Sequence, residues 1–196
     1  MTRLNVFNIN LPTELNPPGS ETILKISTKY LEGLKDVEST KAYIISEIKN
    51  VKTHVVIGLH GMGGIGKTTL MQEINNEFEK DPHKRFTFVI MAIVSDSPNI
   101  KKLQNQIGER VGLNIQNIES ETVRASRLLK RLKNESIVII LDDIWNAHDL
   151  STIGIPRGNG ENKCCKIVLT TRNEDVCKQM NADPIIHMAC LNHNQA

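Results

Sequence analysis

The sequence predicts an α/β fold, a parallel β-sheet flanked by helices on both faces and built around a glycine-rich loop. Three observations carry that prediction. Apolar runs too uniform for half-exposed strands alternate with segments of helical periodicity, and parallel neighbours need such long crossover connections. One run, Val55-Val56-Ile57-Gly58-Leu59, leads into GMGGIGKTT, Gly61 to Thr69. Another, Ile137-Val138-Ile139-Ile140-Leu141, ends on the paired carboxylates Asp142 and Asp143.

The elements follow in order. LPTELNPPGS, Leu11 to Ser20, packs three prolines and a glycine into ten residues, so the chain upstream is expected to be a poorly ordered tail. Ile44, Ile45 and Ile48 recur at helical spacing within Glu38 to Asn50 and predict a short amphipathic helix before the first strand, Val55 to His60. Past the glycine loop, Leu70, Ile74 and Phe78 mark one face of a helix that should stop near Asp81-Pro82. Phe86 to Val94 reads as a second buried strand.

Helical patterns come next at Ile100, Leu103, Ile107 and Val111, then at Val123, Leu128, Leu129 and Leu132, with a turn over Gly112 to Glu119 between them. The basic run Arg124, Arg127, Lys130, Arg131 and Lys133 lies around the second pattern and reads as a solvated face, with a partner surface as the alternative. After the strand at Ile137 to Leu141, a loop at Pro156 to Lys163 precedes a fourth strand at Lys166 to Thr171. Asn173 can cap the helix that follows, and Ile185 to Met188 form a fifth strand.

Composition narrows the function classes. A chain of 196 residues can bury one sizeable core, and 39% hydrophobic with 23% charged residues is ordinary for a globular protein. The net charge of +2, from 24 basic and 22 acidic residues, gives no electrostatic case for nucleic acid or an anionic membrane as main partner. No stretch approaches the roughly 18 to 20 apolar residues of a membrane span. MTRLNVFNIN is not expected to be a secretory signal, and Cys164, Cys165, Cys177 and Cys190 lack paired metal spacing, so they read as reduced thiols in a protein expected to be cytoplasmic.

The glycine loop is where chemistry enters. Gly61, Gly63, Gly64 and Gly66 permit a turn whose backbone N–H groups converge on one anion, and the helix starting near Lys67 adds its dipole and unpaired N–H groups. Lys67 supplies a mobile charge for the β- and γ-phosphates, the Thr68 hydroxyl can ligate magnesium, and Thr69 adds a further hydroxyl. Asp142 should face the metal through its water shell, while Asp143 could orient or deprotonate an attacking water. If the fourth strand lies between the loop strand and the Asp142 strand, Arg172 emerges where a γ-phosphate would sit.

These residues resemble the NB-ARC nucleotide-binding domain of plant NLR disease-resistance proteins, a STAND branch of the P-loop NTPases. GMGGIGKTT is similar to its P-loop, IVIILDDIW to its Walker B segment and CCKIVLTTRNEDVC to its sensor arginine segment. FTFVIMAIVSDSPNIKKLQNQIGERVGL, Phe86 to Leu113, is similar to the stretch after its P-loop helix. Resemblance runs from about Val37 to His187, and Trp145 after LDD resembles the coiled-coil rather than the TIR class.

The resemblance implies a switch that holds ADP at rest and ATP when active, with slow hydrolysis between. It places the P-loop stretch Gly61, Met62, Gly63, Gly64, Ile65, Gly66, Lys67, Thr68 and Thr69 on nucleotide phosphate, and Thr68 and Asp142 on Mg2+. Asp143 would then serve hydrolysis and Arg172 would sense the γ-phosphate. Val37-Glu38-Ser39-Thr40 looks like the segment that helps hold adenine, which makes Val37 a candidate contact, although Thr40 stands where many relatives have arginine.

The implied organisation is a tail or linker over 1–36, partly disordered, the nucleotide-binding subdomain over 37–190, and an end over 191–196 truncated before the family's ARC and leucine-rich repeat regions. Partners implied are nucleotide, other NLR chains and defence-signalling proteins. A stand-alone small P-loop ATPase and a non-hydrolysing helper or decoy module are the alternatives.

Overall fold

The computed structural model describes residues 35–50, 55–94, 99–156 and 164–189. The expected N-terminal tail up to residue 34, most of the Pro156 to Lys163 loop, Cys190 and the 191–196 end lie outside the described residues, while the last two residues of the expected 1–36 tail already belong to the first helix.

In chain order the elements are α1 (Lys35–Lys49), β1 (Val55–His60), α2 (Lys67–Glu79), β2 (Phe88–Ile93), α3 (Ile100–Arg110), α4 (Glu121–Leu132), β3 (Ser136–Ile144), α5 (Leu150–Ile153), β4 (Cys164–Thr171), α6 (Glu174–Gln179) and β5 (Ile185–His187). The strands form one parallel sheet in the order β2-β3-β4-β1-β5. β4 therefore lies between the loop strand and the Asp142 strand, as the expected position of Arg172 requires. Consecutive strands are joined through helical connections, and helices cover both faces.

Alternate residues of the strands serve two cores, which is why the runs are apolar throughout. On one face Ile57 and Leu59 of β1, Val138 and Ile140 of β3 and Val168 of β4 pack against Ile44 and Ile48 of α1 and Leu70, Met71 and Ile74 of α2. On the other, Ile137, Ile139 and Leu141 of β3 and Ile167 and Leu169 of β4 meet Leu103 and Ile107 of α3, Leu128 and Leu132 of α4, and Val176 and Cys177 of α6. Gly58 lets α6 approach β1, since a Cβ there would lie 2.8 Å from the Cys177 sulfur. Burial pushes the Cys165 thiol up to about 12 and the Cys177 thiol up to about 11, so both pack as neutral apolar groups.

Helix ends follow local chemistry. Asn99, Ser120, Asp149 and Asn173 each place a side-chain oxygen on a backbone N–H of the first turn of the helix that follows. Three details differ from the sequence reading. β3 runs on through Asp142 and Asp143, because Ile93 of β2 stays paired with Asp142. β2 is shorter than Phe86 to Val94, and α5 is an additional single turn.

The largest departure is in α4. Arg124 does not belong to a solvated face: it is 1% exposed, while Val123 and Leu129, assigned to the apolar stripe, are 45% and 39% exposed. The helix turns Arg124, Ala125, Leu128 and Leu132 inward instead. Arg124 Nε donates to Gln104 Oε1 at 2.9 Å, Nη1 to the Ile115 and Ile118 carbonyls at 2.8 and 3.1 Å, and Nη2 to the Lys101 carbonyl at 2.8 Å and to Asn105. Gln104 in turn donates to the Glu121 and Thr152 carbonyls at 3.0 and 3.2 Å. One guanidinium thus ties the loop between α3 and α4, through the Ile115 and Ile118 carbonyls, to α3 through the Lys101 carbonyl, Asn105 and Gln104.

Arg124→Met keeps the aliphatic bulk and removes these donors. It should cost about 3 to 5 kcal/mol, read from the urea unfolding midpoint, because buried Gln104 and several buried or part-buried carbonyls lose a charged donor together. Arg127→Ala on the exposed side of the same helix should stay within about 0.5 kcal/mol of the parent.

Candidate functional site

The carboxyl ends of β1, β3 and β4 meet the amino end of α2 around a cavity of about 410 Å³. Gly63, Gly64, Gly66, Lys67, Thr68 and Thr69 line one side, Asp142 and Asp143 the end of β3, Thr170 and Arg172 the end of β4, and Ile93 the end of β2. Such a crevice, where neighbouring strands lead to opposite sides of the sheet, is where open α/β sheets bind ligands.

The loop is shaped for an anion. Gly64 and Gly66 have φ of 78° and 96°, a left-handed backbone that a side chain would strain. Gly66 is the N-cap of α2 and no side chain caps the first turn, so the positive end of the helix opens toward the cavity. Lys67 is 7% exposed and its ammonium donates to the carbonyls of Gly61 and Met62 at 2.6 and 2.7 Å, folding the side chain back over the loop. Burial lowers its pKa, Arg172 adds to the shift, and Asp143 and Asp142 oppose it. An anion in the cavity would relieve that desolvation by giving the ammonium a counter-charge.

Asp142 is 2% exposed and accepts from two hydroxyls, Thr68 Oγ1 to Oδ2 at 2.8 Å and Thr170 Oγ1 to Oδ1 at 2.6 Å. Thr170 Oγ1 also accepts from the Asp143 N–H at 2.9 Å, bridging β4 to the irregular end of β3. A buried carboxylate beside a threonine hydroxyl is a hard-oxygen pair that fits magnesium, an ion that takes one or two protein oxygens and fills its remaining positions with water and phosphate. Those two residues would hold the ion, and its charge would screen phosphate oxygens.

Asp143 has φ of 57°, a left-handed backbone that is uncommon for a residue with a side chain. Its Oδ2 accepts from Trp145 Nε1 at 3.1 Å and its Oδ1 lies 3.8 Å from Arg172 Nε. The Arg172 guanidinium in turn sits 4.5 Å above the Trp145 ring. Arg172 therefore reaches the cavity, as expected, but in this structure it rests on an aromatic face and a carboxylate.

The structure thus brings together Lys67, Thr68, Thr69, Asp142, Asp143 and Arg172 with Gly63, Gly64 and Gly66. Gly61 and Met62 take part through their carbonyls, while the Met62 side chain is 69% exposed and Ile65 packs on the α1 and α2 core. Val37 lies apart from this cavity, buried in the early turns of α1. Thr170 and Trp145 escape a reading of the sequence as site residues, since their contacts depend on the register of β3 against β4. The repeated threonine at the end of the fourth strand is the available signal for Thr170.

A family model described as the NB-ARC domain matches residues 37–196. The disease resistance proteins SUMM2 and RPS5 of Arabidopsis thaliana are each 40% identical, over 143 and 141 residues. Those matches cover 72% and 69% of this chain but 16% and 15% of the relatives, so the chain spans about a sixth of their length. Among solved structures, the ORC1 protein of Aeropyrum pernix in complex with DNA aligns with a TM-score of 0.58 at 14% identity, covering 82% of this chain and 46% of that one. The ORC2 protein of the same organism, solved as ADPNP-ADP complexes, gives 0.55 at 19%, covering 82% and 48%. At these identities the likeness is one of fold, the parallel sheet of P-loop proteins.

Thr170→Val is nearly isosteric and removes the hydroxyl that joins Asp142 to the Asp143 N–H. Thermal or urea unfolding should show a loss of about 1 to 3 kcal/mol, the cost of two buried polar groups left without a partner. A variant as stable as the parent would contradict this description of the strand ends.

Proposed function

Because the chain belongs to the NB-ARC domain family, we propose that it is the ADP- and ATP-binding module of a plant disease-resistance protein, acting in defence as a nucleotide-controlled switch with slow hydrolysis at most. The observation that carries the reading is the joint placement of Lys67, Thr68 and Asp142 at the uncapped start of α2. Backbone N–H groups and Lys67 would take the phosphates, and Thr68 with Asp142 would hold Mg2+. Arg172 would meet the γ-phosphate, and Val37, beyond the phosphate cavity, would contact the base.

The engagement of Asp143 supports a clasp over a fast enzyme. A general base needs a free carboxylate oxygen within reach of the attacking water. Here Oδ2 accepts from the Trp145 indole and Oδ1 stands 3.8 Å from Arg172 Nε, so until Arg172 moves the carboxylate is held between these two groups rather than aimed at a water. The work proposed for the site is to hold nucleotide and register its terminal phosphate. Residence in the cytoplasm and association with other NLR chains or defence-signalling proteins belong to the same proposal.

Magnesium-ADP at about a hundred times its dissociation constant should stabilise the chain by about 2.7 kcal/mol and raise its melting temperature by about 5 to 10 °C. Lys67→Ala should abolish that rise, read by differential scanning fluorimetry. An equal rise in the variant would rule out phosphate binding by this loop.

A further inference from the structure

We propose that Trp145 is a positioning residue that parks Arg172 away from an arriving terminal phosphate and so sets the preference between triphosphate and diphosphate nucleotides. This rests on the nucleotide-binding reading above and assigns the specificity of that site to a side chain outside its phosphate loop.

Trp145 leaves β3 directly after Ile144 and is 42% exposed, so it contributes little to either core. Two contacts hold its ring instead. The indole N–H donates to Asp143 Oδ2 at 3.1 Å, which fixes the ring plane, and the ring face carries the Arg172 guanidinium at 4.5 Å. Arg172 Nε lies 3.8 Å from Asp143 Oδ1, so ring, carboxylate and guanidinium close a triangle at the rim of the cavity. The guanidinium also borders the phosphate loop: a Cβ on Gly63 would lie 3.4 Å from Arg172 Cζ.

Arg172 therefore has two competing sets of partners within a small movement. One is the triangle, a long contact to a carboxylate and a half-exposed cation–π contact, with 52% of the arginine side chain and 35% of the Asp143 side chain in solvent. The other is a terminal phosphate, which accepts a charge-assisted and bidentate pair of hydrogen bonds. The phosphate is the stronger partner, but it must displace the ring, and the apparent affinity falls by the fraction of chains in which Arg172 is parked. A diphosphate lacks the terminal group that would compete for the guanidinium. When Arg172 moves, Trp145 loses the cation on its face and Asp143 loses its nearest positive charge, so the event is registered at the protein surface.

The chain contains one tryptophan, which makes its emission a reporter of this ring. The 196-residue chain is titrated by calorimetry with magnesium-ADP and with a magnesium-bound non-hydrolysable ATP analogue, as parent, Trp145→Leu and Trp145→Phe. Trp145→Leu should bind the analogue about two- to five-fold more tightly, the equivalent of one exposed cation–π contact, with ADP affinity unchanged. Trp145→Phe, which keeps a ring face but not the N–H donor, should fall between. In the parent, tryptophan emission should change with the analogue and not with ADP, and Arg172→Gln should lose the change.

Equal shifts for both nucleotides in Trp145→Leu, no shift for either, or an emission change of the same size with ADP would overturn the proposal while leaving nucleotide binding intact. Should Trp145→Leu fail to fold, the parent's emission decides. A parent that binds neither nucleotide overturns the underlying reading, and this proposal falls with it.

Discussion

A carboxylate almost wholly removed from water, Asp142, is the constraint on which the rest of this molecule turns. An ionised carboxylate in such a place is costly unless hydrogen bonds or a cation replace its water. Two hydroxyls do part of that work, Thr68 from the start of α2 and Thr170 from the end of β4. Each comes from a different element, so the carboxylate can be satisfied only when the loop, β3 and β4 stand in their observed register. The same arrangement leaves one side of Asp142 facing the cavity, where a divalent ion carried by a nucleotide would complete its partners.

The sheet order makes that convergence attainable. With β4 between β1 and β3, the phosphate loop, the carboxylate pair and Arg172 emerge side by side at one edge of the sheet. The two cores hold the strands from opposite faces, α1 and α2 on one, α3 to α6 on the other. Arg124, the hydrogen-bonding hub of the second face, lies away from the site and fixes the loop between α3 and α4 through carbonyls rather than through an acid. Scaffold and site are thus stabilised by different chemistry: apolar burial and carbonyl satisfaction below, charge and hydroxyl networks at the rim.

Much of this is legible in the residue order, for definable reasons. Strands buried on both faces announce themselves by uniform apolar runs, and the spacing from Gly61 to Thr69 encodes a backbone shape, so Lys67, Thr68 and Asp142 are legible as site residues, while Arg172 joins them only through the strand order that puts β4 between β1 and β3. What escapes depends on partners distant in sequence. Arg124 carries the formal signature of a surface residue, and nothing local reveals that three carbonyls await it. Val123 and Leu129 fit a helical stripe, yet α4 rotates to bring Arg124 inward, which leaves them in solvent. The polar pair Asp142-Asp143 resembles the end of a strand because side-chain polarity hides backbone pairing that β2 and β4 continue. Thr170 and Trp145 acquire their roles only through the β3–β4 register.

Thr68 and Asp142 acting on one shared ion would be coupled, which a double-mutant cycle tests directly. Magnesium-dependent nucleotide affinity is measured for the parent, Thr68→Val, Asp142→Asn and the double variant, with and without chelator. Each single change should remove most of the magnesium-dependent gain and the second should add little, a coupling well above about 0.5 kcal/mol. Losses that simply add, or a gain from magnesium that survives in Asp142→Asn, would contradict it.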